Sequence, residues 1–190
     1  MKMEKLIGNK IVIRDWKIED IETYTKWQLG DQQWKKWDGP YYQTSDEVNL
    51  DYIKNLKQKI LSNSFSKPRT MMVIADVQND LLLGTVNSYW ISKETNWLAA
   101  GIIIFDPNYW SHGIGKDAFI MWIDYLFAHR PEIIRLDVQT WSGNERMMNL
   151  ALKLGFKLEG RFRNARIVNN QYFDAIQLGI LRDEWFSIKK

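Results

Sequence analysis

The chain has 190 residues, 45% of them hydrophobic, with 26 Lys and Arg against 23 Asp and Glu. That length suits one domain able to bury its own core, and the composition is too apolar for a disordered segment. The absence of cysteine excludes disulfides, cysteine-held zinc and acyl-cysteine intermediates. The bases are scattered, so no nucleic-acid partner is indicated, and no run of about 18 apolar residues suggests a membrane span. Met1-Lys2-Met3-Glu4-Lys5 leads into a short strand instead of a hydrophobic signal core, so the expectation is a single cytoplasmic domain over 1–190.

In chain order, Asn9 to Arg14 alternate as a first strand, and Lys17 to Leu29 place Ile18, Ile21, Tyr24 and Trp27 on one helical stripe. Asp31 to Tyr42 read as a loop. Ser45 precedes Glu47, Val48, Leu50, Ile53, Leu56 and Ile60 as the N-cap of a second helix. Met71 to Val77 and Leu81 to Ile91 form strands around a Gln78-Asn79-Asp80 turn, and Trp97 to Phe105 form another. Gly113 to Ala128 carry apolar residues at helical spacing and stop before Pro131, and Ile133 to Thr140 return as a strand. Asn144 to Leu154 are helical, with Gly155 as a left-handed C-cap. Two last strands, Phe156 to Ile167 and Tyr172 to Leu181, face each other across Asn169-Asn170.

The most informative stretch runs from the β-branched Gly101-Ile102-Ile103-Ile104 through Phe105-Asp106-Pro107-Asn108-Tyr109-Trp110-Ser111-His112 to Gly113-Ile114-Gly115-Lys116. Glycines there let the backbone approach an anion, and the following helix aims its free N–H groups and positive dipole end at the same point. A P-loop fails on spacing, because Trp110 stands at its first glycine and Asp117 at its Ser/Thr. Gly113 to Ala118 spell the Rossmann string Gly-x-Gly-x-x-Ala, but Asp106 to His112 separate it from its strand. The nearby acid, Asp137, lies within a strand instead of at its end.

Phe105 to Gly115 resemble the acetyl-CoA loop of the GNAT superfamily of N-acetyltransferases, (Arg/Gln)-x-x-Gly-x-(Gly/Ala), with Trp110 at the Arg/Gln position as in its RimJ/RimL-like branch. Asn144 to Phe156 are similar to that superfamily's Asn-headed helix ending in Gly-Phe. Leu158 to Arg163 with Asn169 to Asp174 resemble the branch's closing hairpin. The resemblance covers residues 97 to 185 and implies an α+β, mixed α/β fold: a mostly antiparallel twisted sheet with a splayed central strand pair and flanking helices. It further implies that acetyl-CoA is the co-substrate, with no metal. Pantetheine would pair with the backbone of Ile103, Ile104 and Phe105, and pyrophosphate would sit on the N–H groups of Trp110, Ser111, His112, Gly113, Ile114, Gly115 and Lys116. Asn144 would lie on the pantetheine side of the cleft, and the loop with Trp37, Asp38 and Tyr41 would border the acceptor site. A main-chain N–H near Phe105 would polarise the thioester carbonyl.

Each role has a plainer competitor. Gly113 and Gly115 would also serve a tight turn, Lys116 a solvated helix start, His112 the turn itself and Asn144 only an N-cap. Relatives carry a Tyr where Ala151 stands and a Ser where Met147 stands, so the catalytic acid and base stay open among Asp38, Tyr41, Tyr89 and Glu94. The expected activity is direct acetyl transfer in a ternary complex to a small-molecule or N-terminal amine. A polyamine acceptor would require clustered carboxylates, with Asp31, Asp38, Asp46 and Glu47 as candidates. The alternatives are an acyl-CoA-binding sensor without turnover and, more weakly, a NAD(P)-binding oxidoreductase. The aromatic residues are compatible with a homodimer.

Overall fold

The computed structural model describes residues 4–30, 32–42 and 44–188. The elements follow in the order β1 (Lys5–Ile7), β2 (Ile11–Arg14), α1 (Asp20–Gln28), α2 (Asp46–Leu61), β3 (Met71–Asp76), β4 (Leu82–Ser92) and β5 (Trp97–Ile104). The chain continues as α3 (Ile114–His129), β6 (Arg135–Trp141), α4 (Glu145–Lys153), β7 (Lys157–Val168), β8 (Gln171–Leu181) and α5 (Arg182–Ile188). All eight strands form one sheet in the order β1-β2-β3-β4-β5-β6-β8-β7, antiparallel except where β5 meets β6. The mixed, mostly antiparallel architecture expected from the sequence is the one observed.

Side chains alternate between two cores across this sheet, as strand periodicity requires. Ile11, Ile13, Met72 and Ile74 point toward α3, whose Phe119, Trp122 and Ile123 are fully buried. Val12, Val73 and Ala75 point the other way, into a cluster with Tyr24 of α1 and Ile53 and Leu56 of α2. Ser45 caps α2 by accepting from the Val48 N–H at 3.3 Å, and Gly155 takes φ +89° after α4, both as the sequence implies.

The boundaries differ in places. Helix α1 starts at Asp20 instead of Lys17, because the Asp20 carboxylate accepts the Lys17 N–H at 2.7 Å and pairs with buried Arg14 at 2.8 Å, which holds the preceding residues as a turn. Within the expected loop, Gln33–Lys36 form a 3-10 turn. Strand β1 and helix α5 add to the expected elements; α5 follows β8 without a break and is anchored by the buried Trp185, whose indole donates to Asp124 Oδ1 at 2.8 Å.

The feature that positions the site is the parting of β5 and β6. Their ladder holds Leu98 to Leu136 and Ala99 to Asp137 only. Beyond that point β5 stays with β4 as far as Ile104 against Gly84, while β6 stays with β8 as far as Trp141 against Ala175. The gap opens in front of α3, which connects the two strands.

Candidate functional site

The register of β5 decides which of its backbone groups face the gap. The Phe105 N–H donates to Leu83 O at 2.9 Å. Alternation along an antiparallel ladder then turns Ile103 and Gly101 toward β4 as well, and turns Ile102 and Ile104 toward β6. This corrects the expectation for Phe105: its N–H is already used and cannot polarise a carbonyl in the cleft. Of the three residues expected to pair there, Ile104 presents its backbone to the gap, joined by the unforeseen Ile102. The Ile103 side chain lines the cleft.

Phe105 has a different task. Its ring, 1% exposed, lies 5.3 Å from Trp34, 5.7 Å from Tyr24 and 6.4 Å from Trp27. Trp34 Nε1 donates to Trp27 O at 2.8 Å. This aromatic cluster seats the 3-10 turn, and the segment after it crosses the gap. The Trp37 carbonyl accepts from Trp141 Nε1 at 2.9 Å on β6 and from Asn144 Nδ2 at 3.0 Å at the head of α4. Asn144 Oδ1 meanwhile caps α4 by accepting the Met147 N–H at 3.0 Å. Asn144 thus lines the cleft, and its amide is engaged at both ends by the protein.

The gap is a cleft of about 560 Å³. Gly113, at φ +82°, is the N-cap of α3, and a Cβ there would meet nothing within 4 Å, so glycine is required by the left-handed backbone and leaves open space. The N–H groups of Gly113, Ile114, Gly115 and Lys116 are the unsatisfied donors of a helix start. Trp110, Ser111, Gly113, Gly115 and Lys116 line the cleft; the Ile114 side chain is buried in the core, and His112 lies outside the lining. Trp110 Nε1 donates to Ile104 O at 2.8 Å, satisfying a carbonyl that the parting of the strands left open.

Arg146, in the first turn of α4, was not singled out from the sequence. Its guanidinium carbon lies 4.3 Å from the Trp110 ring centroid and 4.8 Å from that of Trp37, joining the glycine loop to the segment that crosses the gap. Among the described residues no carboxylate pairs with Arg146, Lys116 or Lys153, all of which line the cleft. Three unpaired cations beside a helix N-terminus make this wall favourable to an anionic ligand.

A second cavity of about 1220 Å³ adjoins the cleft. Trp34, Trp37, Asp38, Gln139 and Thr140 line both. Asp38 is therefore at the junction, a solvent-exposed residue on the wall shared by the two spaces. Among the described residues its carboxylate has no hydrogen-bond or ion-pair partner, and desolvation pushes it above the usual carboxylate range. Tyr89 stands nearby with its hydroxyl donating to Gln139 Oε1 at 2.9 Å; burial, with a contribution from the Asp38 charge, pushes its phenol up. Tyr41 lines the larger cavity, whereas Glu94 sits in the turn between β4 and β5, bonded to Ser92, and lines neither. Ala151 is fully buried, and Met147 lines the cleft.

Among the described residues no carboxylate cluster forms. Asp46 accepts from the Gly30 N–H, Glu47 lines neither cavity, and Asp31 lies outside the described residues. Asp137, the acid a dinucleotide site would need, is buried and bonded to Arg135 at 2.8 Å and Gln177 at 2.6 Å. Among the described residues no group of acids and histidines could hold a metal, and no helix is long and apolar enough to cross a membrane.

Residues 10–157 match the family model of the acetyltransferase (GNAT) domain, and the chain belongs to that family. It is 24% identical over 160 residues to the uncharacterized N-acetyltransferase YnaD of Bacillus subtilis, covering 80% of this chain and 92% of YnaD. It is 28% identical over 88 residues to spermidine N(1)-acetyltransferase of Escherichia coli, covering 46% of this chain and 47% of that one. The fold is shared with the ribosomal α-N-protein acetyltransferase RimL in complex with coenzyme A, at a TM-score of 0.71 and 16% identity over 95% of this chain and 99% of that chain.

Proposed function

We infer that the protein transfers the acetyl group of acetyl-CoA to a primary amine by direct attack, with the cofactor arm in the cleft between β5 and β6 and the acceptor in the larger cavity. The observation that carries this reading is the partner-free Asp38 carboxylate at the point where the two spaces meet. The residues present suit the proposed ligand. The backbone of Ile102 and the N–H of Ile104 would meet the amide-rich pantetheine as an added strand does. The open N–H groups from Gly113 to Lys116 and the charges of Lys116 and Arg146 would hold its phosphates.

An amine near neutral pH arrives as an ammonium ion and must lose a proton before its nitrogen attacks the thioester carbonyl. Asp38 would first hold that ion, then accept the proton. A carboxylate raised by desolvation is a better base than an ordinary one, because Brønsted behaviour rewards added basicity below the working pH. The nitrogen–carbon bond forms, the carbon–sulfur bond breaks, and the second proton shed by the nitrogen goes to the sulfur, which leaves as the thiol. Thr140 and Tyr89, beside the junction, are the hydroxyls positioned to organise water there.

The acceptor cavity argues against a polyamine, since among the described residues it presents Lys35, Lys36 and Arg166 with only Asp38 and Asp46. The test is release of free thiol from acetyl-CoA on addition of amines. Amine-dependent release that is lost in Asp38→Asn supports the reading, and acetyl-CoA binding without release from any amine would favour a sensor.

A further inference from the structure

The charges inside the larger cavity divide into those already used by the protein and those left over. Lys35 Nζ donates to Gln28 O at 2.6 Å and Gly30 O at 2.8 Å, and Asp46 accepts the Gly30 N–H. What remains is the Asp38 carboxylate, the exposed Lys36 and Arg166. Arg166 has no ion pair among the described residues. Its guanidinium carbon lies 4.8 Å from the Tyr41 ring centroid, Nη1 donates to Ala165 O at 2.8 Å, and Nε is buried without an acceptor. Nε is closed to solvent, so the Nη2 end is what the guanidinium presents, a charged donor without a partner that suits a carboxylate or phosphate oxygen.

A local distortion of the closing hairpin puts Arg166 there. Phe162 pairs with Ala175 and Arg166 with Phe173, so Arg163, Asn164 and Ala165 stand opposite Asp174 alone. A regular ladder would place Asn164 against Phe173. Instead Asn164 takes φ +56°, its N–H donates to Asp174 Oδ1 at 3.0 Å, and Arg161 binds the other oxygen of the same carboxylate. Asp174 thereby pins the bulge, and the bulge moves Arg166 two positions along the hairpin, from opposite Gln171 to opposite Phe173, on the face that carries Phe162, Phe173 and Ala175, all lining the cavity. Bulges that re-aim a side chain are recurrent beside functional sites.

We propose that the acceptor is a small amine that also carries an anionic group, a carboxylate or a phosphate, with the amine directed to Asp38 and the anion to the free Nη2 end of Arg166. This rests on the acetyltransferase reading and narrows its substrate class. The aromatic residues Tyr41, Trp141 and Phe173, in edge contact at 6.4 and 4.8 Å, would cover the carbon chain between the two charges. A polycation would meet Arg166 and Lys36 unfavourably.

The test compares thiol release from acetyl-CoA with ω-amino acids of graded chain length, their amides, and O-phosphoethanolamine, in the wild type, Arg166→Met and Arg166→Lys. The acid-to-amide ratio of kcat/KM within each protein is the readout, which cancels any general loss from substitution. The expected wild-type ratio at the best chain length is roughly 10- to 100-fold, the range of hydrogen bonds to a charged group. It should collapse toward unity in Arg166→Met and recover in part in Arg166→Lys. A better phosphate than carboxylate acceptor would assign the anion to the phosphate class. A ratio near unity in the wild type, or one that survives Arg166→Met, overturns the proposal while thiol release from the amides upholds the acetyltransferase. If no amine supports release, calorimetry with 6-acetamidohexanoate on the CoA-saturated protein decides: binding that depends on Arg166 supports the anion site, and no such binding refutes it.

Discussion

Replacing Asp38 by Asn separates catalysis from stability. The amide keeps the size and hydrogen-bonding capacity of the carboxylate but cannot accept a proton at neutral pH. Among the described residues no other acid lines both cavities, so no second base is in place to substitute. The loss should therefore be that of a positioned general base, roughly 100- to 1000-fold in kcat/KM, or about 3–4 kcal/mol of barrier. The stability sign is opposite. The folded carboxyl is raised above its ordinary 3.8 by desolvation, so its ionised form is disfavoured by the fold, and that penalty is present above the folded pKa and absent below the ordinary one. A neutral amide at this position should leave the melting temperature at neutral pH unchanged or higher. Thiol-release kinetics across pH and thermal unfolding of the same samples provide the readouts. The wild type should show an acid limb in kcat/KM that inflects above the ordinary carboxylate range, and the variant should lack it. Retention of activity within about fivefold of wild type, or a clear fall in melting temperature, would remove Asp38 from the role of base.

Further outcomes follow from other parts of the molecule. Gly113→Val forces a side chain into φ +82°, costing about 1–2 kcal/mol of backbone strain, and places two methyl groups over the open N–H cluster. Acetyl-CoA affinity should fall at least about tenfold while the domain stays folded, and an unchanged calorimetric titration would discard the loop assignment. Asn144→Asp keeps the acceptor that caps α4 but removes the donor to the Trp37 carbonyl, so it should raise the acceptor KM with little change in melting temperature. Asn144→Ala should do both, losing about 1 kcal/mol of cap energy as well; identical behaviour of the two would contradict the tie. Arg69→Met leaves Asp15 buried without the guanidinium that it meets at 2.6 and 2.9 Å, and should cost about 3–5 kcal/mol by denaturant unfolding. Burial alone would raise the Asp15 carboxyl, but hydrogen bonds from Arg69 and the Glu4 N–H hold it below its ordinary 3.8. This pair therefore supplies stability above that pH and loses it as pH falls through the folded value.

What could be read in the sequence was whatever local chemistry fixes. Ser45 and Asn144 are caps by composition, Gly113 and Gly155 take left-handed backbone, and the apolar stripe of α3 needs no partner to be recognised. The glycine loop, its strand and the Asn-headed helix were legible together because each block is contiguous. The residues that close the site are not. Arg146 becomes a bridge only when Trp37 and Trp110 are brought to either side of it, and Arg166 stands opposite Phe173 only because two extra residues in β7 are absorbed opposite Asp174. Phe105 was placed one residue too far into the ladder: the alternation of an antiparallel strand, set by its pairing with Leu83, decides which N–H faces the gap, and register is not a property of one strand. Strand β1 is three residues long, too short for a period to show, and α5 begins with no breaker after β8.

The central claim is most directly tested by calorimetric titration of the protein with acetyl-CoA, CoA and NAD(P)H, followed by thiol release in the presence of amines. Saturable binding of acetyl-CoA and CoA, no binding of NAD(P)H and amine-dependent release of thiol are the results expected. Absence of any affinity for acetyl-CoA would contradict the account.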